Sequence, residues 1–226
     1  MLARLARSDG SVQLERILPI DPHFLVEASP GAFEVVWTYT ELGIEHILTG
    51  FDHLCFVLAL MLIVRGTKRL VWTVTAFTLA HSLTLALATL GVIHVPGPPV
   101  EATIALSIMF VASEVIQQQR GREGLAAKQP WLVAFAFGLL HGLGFAGALA
   151  QIGLPANAIP LALLFFNVGV EIGQLLFIAA VLAVTRLLYR LVASSVELRR
   201  ATVIPAYMIG GIASYWVIER VSNFWR

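Results

Sequence analysis

GIEHILTGFDHLCFVLALMLIV, residues 43–64, decides how the rest of the chain is read. It opens with four ionisable side chains, Glu45, His46, Asp52 and His53, and continues into an uninterrupted apolar run. Read as one helix at about 100° per residue, positions seven apart return almost to register. His46 and His53 then share one stripe, and Glu45 and Asp52 share the neighbouring one. Ionisable groups inside an apolar span are costly, and they mark function more often than packing. Cys55 falls on a different face from His53 and reads as packing. As the only cysteine it excludes an internal disulfide.

Composition agrees with this reading. The chain is 58% hydrophobic and only 13% charged, with a mean hydropathy of +0.82. A soluble domain carries roughly a quarter charged residues, so the lipid bilayer is the partner this composition requires. The formal net charge is +1 and the basic residues fall between apolar segments, which leaves no nucleic-acid footprint. Six apolar runs lie at about 43–64, 70–90, 100–116, 131–152, 161–188 and 203–218, each near the ~20 residues that cross a hydrocarbon core. They are continuously apolar, not alternating, which excludes a membrane β-barrel. The expected fold is all-α: a polytopic integral membrane bundle of about six helices over residues 43–226, preceded by an extracytoplasmic or interfacial segment, residues 1–42.

That leading segment starts polar, with Arg4, Arg7 and Arg16, and carries no apolar core of signal-peptide length. Pro19, Pro22, Pro30 and Gly31 interrupt any helix there, and the aromatic stretch 33–42 suits a membrane interface. Basic residues then set the expected orientation. Arg65, Lys68 and Arg69 occupy the first connection, Arg120, Arg122 and Lys128 the third, and Arg186, Arg190, Arg199 and Arg200 the fifth, while the second and fourth hold neither Lys nor Arg. The positive-inside rule places the odd connections in the cytoplasm and both termini outside.

Polar residues recur at matching places. Phe77-x3-His81 in the second span matches Phe137-x3-His141 in the fourth, and Val100-Glu101 pairs with Val170-Glu171 in the spans that follow. The two hairpins run in the same direction, a parallel repeat. Asn167, Glu171 and Gln174 share one helix face, Ser107 lies two turns beyond Glu101, and Ser82 adjoins His81. All these groups are expected between the midplane and the outer surface. Imidazoles with carboxylates suit nickel, cobalt, zinc or iron, whereas calcium and magnesium want oxygen alone. The candidate ligands are His46, Asp52, His53, His81, His141 and Glu171. Glu45, Ser82, Glu101, Ser107, Asn167 and Gln174 form an outer shell or pathway. Gly138-x3-Gly142 and Gly169-x3-Gly173 permit close helix approach, which is compatible with a homo-oligomer as well as with internal packing.

The successive motifs GIEHILTGFDHL, FTLAHSLTL, VEATIALSI, FGLLHGLGFAGAL and FFNVGVEIGQ, in that order from Gly43 to Gln174, resemble the HupE/UreJ family of membrane proteins, and in particular its second branch. The resemblance implies a small multi-pass protein of the bacterial inner membrane, associated with nickel or cobalt supply. His46-x5-Asp52-His53 is similar to the family's histidine–aspartate–histidine element. Three functions fit the residues: a permease for a divalent transition metal, an intramembrane zinc-dependent hydrolase, and a metal-binding accessory protein without transport.

Overall fold

The computed structural model describes residues 2–6, 12–16, 31–152, 158–191 and 198–225. The proline-rich stretch 17–30 and residues 153–157 lie outside the described residues. Strands β1 (Leu2–Ala6) and β2 (Val12–Arg16) form an antiparallel ribbon, an addition to the expected irregular start. Helices follow: α1 (Ala32–Thr49), α2 (Phe51–Ile63), α3 (Thr67–Thr89), α4 (Gly97–Gln119), the single turn α5 (Leu125–Lys128), α6 (Pro130–Ile152), α7 (Ile159–Leu191) and α8 (Leu198–Ser222). Every one of the six apolar runs is helical, the state in which lipid-embedded backbone satisfies its own polar groups. By length and composition α3, α4 and residues 159–188 of α7 can each cross a membrane, and α1 with α2 makes a fourth candidate span. The chain is an all-α membrane bundle.

Helix ends follow local chemistry. Pro96 precedes α4 and prolines fill its first turn, where the missing N–H costs nothing. α3 and α4 end alike, with Gly91 (φ 72°) and Gly121 (φ 79°) in the left-handed region. Gly91 N–H donates to Ala88 O and Val92 N–H to Leu87 O, and Gly121 and Arg122 repeat the pattern on Gln118 and Gln117. These bonds satisfy carbonyls that a helix end leaves free. Beside the end of α4 the buried Glu114 carboxylate accepts from Leu125 N–H (3.0 Å) and Ala126 N–H (2.6 Å), and Arg69 donates to the carbonyls of Ala127 and Lys128. The α4–α6 connection is thereby tied to the start of α3.

The decisive departure from the single straight helix expected over 43–64 is at Gly50. The helix starts earlier, at Ala32, and breaks there, with α1 and α2 meeting at 71°. Gly50 is extended (φ −79°, ψ 92°), yet its N–H still reaches His46 O and its C=O receives Leu54 N–H, both at 3.0 Å. A Cβ at Gly50 would stand 2.7 Å from His46 O and 3.0 Å from His53 Nδ1. Glycine is required here by the space the two histidines occupy. In a straight helix positions 46 and 53 would lie about 10.5 Å apart along the axis; the bend removes that separation.

Three helix pairs dominate the packing, α3 with α6, α1 with α7 and α4 with α8. Glycines make the first two close. Gly138 lies against Phe77 and Ala80, and Gly142 against His81 and Thr84, so α3 and α6 run in the same direction. Gly43 meets Phe166 and Val170, while Gly169 meets Thr40 and Gly173 meets Ile44 and Ile47. α4 and α8 are antiparallel, with Glu101 beside Arg220 at one end and Ala112 beside Gly210 further along. Two apolar cores result. One gathers Phe56, Leu60, Phe77, Ile108 and Ile209; the other gathers Val35, Tyr39, Ile47, Leu85 and Phe166.

Candidate metal centre

Between the two apolar cores lie four imidazoles. Ring centroids of His46 and His53 are 4.7 Å apart, each is 6.0 Å from His81, and His141 is 4.9 Å from His53. One ring nitrogen from each of His46, His53 and His81 lies within 4.8 Å of the other two. Ligands at a metal–nitrogen distance of 2.0–2.1 Å sit about 3.4 Å apart in tetrahedral geometry, so side-chain rotations of about an ångström would complete a site. His81, His141 and His53 are 0%, 1% and 8% exposed, and His46 is partly exposed. Phe56, Phe77, Phe145 and Phe166 surround the rings.

Hydrogen bonds decide which nitrogens are free. Asn167 Nδ2 donates to Leu163 O (2.7 Å), which turns its Oδ1 toward His81 Nδ1 at 3.2 Å. An amide oxygen only accepts, so His81 carries its proton on Nδ1 and its lone pair on Nε2. Ser107 uses its own proton on Ile104 O (2.6 Å), so at 3.2 Å its oxygen accepts from His141 Nε2–H. The His141 lone pair is then on Nδ1. The atoms so identified, His81 Nε2 and His141 Nδ1, are both buried without a hydrogen-bond partner, as are His46 Nε2 and His53 Nε2. Buried polar atoms are ordinarily paired. The three unpaired nitrogens of His46, His53 and His81 fit a transition metal, with His141 beside His53 but outside that group. Asn167 and Ser107 supply the outer hydrogen bonds that fix an imidazole's tautomer.

The repeat has a register that the Val-Glu pairs do not give. His81 and His141 are sixty positions apart, and so are their partners' counterparts, Ser107 and Asn167. His81 on α3 bonds to α7, and His141 on α6 bonds to α4. The halves are therefore matched without a gap, whereas Glu101 and Glu171, seventy apart, are not equivalent.

The other expected site residues lie elsewhere. Asp52 pairs with Arg220 Nη2 at 2.8 Å, the two side chains 24% and 19% exposed, and Arg220 Nη1 donates to Glu101 O at 2.8 Å. Arg220 also sits over the Trp216 ring at 5.6 Å. The Glu45 and Glu101 side chains face outward from the bundle. Ser82 donates to Thr78 O, Glu171 Oε1 accepts from Thr75 and Gln174 Oε1 accepts from Thr78. The carboxylates expected around the imidazoles are thus engaged by an arginine and a threonine, and the imidazoles are oriented by neutral groups. Arg220 reads in the sequence as a boundary residue beside Glu219. Its one signal is that, in the orientation the basic connections predict, a basic residue at the end of the last span opposes the basic-inside pattern.

The Asp52–Arg220 pair ties α8 to α2 and α4. Arg220→Gln should lower unfolding stability by about 1–2 kcal/mol, the range for a partly exposed charge-assisted hydrogen bond. Asp52→Asn in addition should cost less than the sum of the single changes. Denaturant melts of the single and double variants in detergent check this; strict additivity would show that the pair is not coupled.

The HupE / UreJ protein family matches residues 23–220 of this sequence, and the chain belongs to that family. No curated protein and no solved structure matches it.

Proposed function

We propose that the protein is a permease for a divalent transition metal of the nickel or cobalt type, taken up from the extracytoplasmic side and held at His46, His53, His81 and His141. The observation that carries this is the convergence of three histidine nitrogens within 4.8 Å from both sides of a broken helix and from α3. Family membership supports nickel or cobalt as the cargo; imidazole ligation alone also suits zinc. The orientation proposed has both termini outside and the basic connections in the cytoplasm of a bacterial inner membrane. A hydrolase would need a carboxylate free to activate water beside the metal. Asp52 is held by Arg220, and among the described residues no carboxylate joins the histidine group, which favours carriage over hydrolysis.

The test is metal analysis of the purified protein, then uptake of that metal into sealed vesicles. Uptake above that of protein-free vesicles, lost in His53→Ala, is expected. Metal bound at unit stoichiometry without uptake would make the protein an accessory binder.

A further inference from the structure

One seam of the bundle stays polar beyond the histidines. Where α3 meets α7, three polar pairs lie toward the end of the bundle that carries Lys68, Arg69 and Arg186. They are His81 with Asn167, Thr78 with Gln174 (2.9 Å) and Thr75 with Glu171 (2.6 Å). Gln174 is 0% exposed, and its second amide atom has no partner; Glu171 Oε2 is likewise buried and unpaired. Among the described residues the equivalent seam between α6 and α4 repeats only the first pair, as His141 with Ser107. Sixty positions away, Thr78 and Thr75 correspond to Gly138 and Phe135, and Glu171 to Val111. Gln174 corresponds to Glu114, which is spent on the backbone of α5. Pseudo-equivalent halves that differ in this one respect point to a use for the polar seam.

The chemistry of the seam is oxygen chemistry. Glu171 has one oxygen tied to Thr75 and one free. Turning the Gln174 amide by 180° keeps its bond to Thr78, now as Nε2–H donating to Oγ1, while the threonine proton goes to Val74 O, already 3.2 Å away. Amide oxygen and nitrogen exchange places at no other cost, and the free atom becomes a carbonyl oxygen. Glu171 and Gln174, three apart on one helix face, then present two oxygens. A carboxylate in an apolar interior needs a cation or a proton.

We propose that Glu171 and Gln174, backed by Thr75 and Thr78, form a second station for a divalent cation, of oxygen donors, between the histidine cluster and the basic end of the bundle. Its place on a route rests on the permease reading; its existence as a binding site does not. An ion held by nitrogen would pass to weaker oxygen ligands before release.

Manganese(II), which prefers oxygen ligands and is visible by electron paramagnetic resonance, is the probe. In the full chain carrying His53→Ala and His81→Ala, one residual manganese site is expected. Adding Glu171→Gln should weaken it at least tenfold, and adding Gln174→Glu instead should tighten it, which loss of folding cannot mimic. No residual binding, or binding indifferent to both changes, overturns the station. With the histidines intact, Glu171→Gln should leave nickel content unchanged and slow vesicle uptake at least tenfold. Uptake equal to the unsubstituted protein removes the station from the route. If the unsubstituted protein takes up no metal while the manganese site behaves as stated, the permease reading fails and the station stands.

Discussion

On the proposed nickel reading, His81→Ala is expected to remove high-affinity nickel binding while the protein still purifies as a monodisperse bundle. The imidazole contributes a lone pair on Nε2 that no other described group can replace, because the neighbouring Asn167 offers its oxygen to Nδ1 and is held there by Leu163. Losing the ligand should therefore cost more than losing its orienting partner. Asn167→Ala should weaken binding by about 10–100-fold, the usual range for a hydrogen bond behind a metal ligand, and His81→Ala by more. Ser107→Ala should resemble Asn167→Ala, since Ser107 does for His141 what Asn167 does for His81. Isothermal titration with nickel orders the variants. Equal, small losses in all three would show that the cluster is packed polar core and nothing more.

The second large effect is on assembly. Gly43→Ala, Gly142→Ala and Gly169→Ala should each destabilise the bundle by about 2–3 kcal/mol, at the upper end of overpacking costs. A Cβ at Gly43 would enter the carbonyl oxygen of Phe166, and one at Gly169 that of Thr40. At Gly142 it would meet Thr84 Oγ1 and the backbone of His81, so that variant should also lose metal affinity as α3 is displaced. Apart from Thr84 Oγ1 these obstacles are backbone, which cannot rotate away. Gly211, with nothing within 4 Å of its Cβ position, is the control: Gly211→Ala should be neutral or stabilising by up to about 1 kcal/mol, the helix-propensity gain. Unfolding of the four variants in detergent measures the difference. Equal stability across them would mean that the helices do not approach as closely as described.

Much of this was legible from residue types alone. Continuous apolar runs predict helices in lipid without knowledge of tertiary contacts, and the histidines stood out because imidazoles inside such runs are costly. What escaped was geometry that depends on distant partners. Gly50 sits in an unbroken helical pattern, and nothing local distinguishes a tolerated glycine from a 71° bend. The stripe shared by His46 and His53 assumed a straight axis, which would have kept them two turns apart. Asp52 looks like a ligand beside His53 because its partner, Arg220, is 168 positions away. The Val-Glu pairs suggested a repeat register that the contacts of Ser107 and Asn167 replace.

X-ray absorption at the metal edge of nickel-loaded protein tests the shared histidine centre most directly. The bend at Gly50 and the free nitrogens of His46, His53, His81 and His141 predict a first shell of nitrogen near 2.1 Å, with the multiple-scattering signature of at least three imidazoles. That signature should diminish by one imidazole in His81→Ala if any metal is retained. A shell dominated by oxygen, with one imidazole or none, would contradict the account.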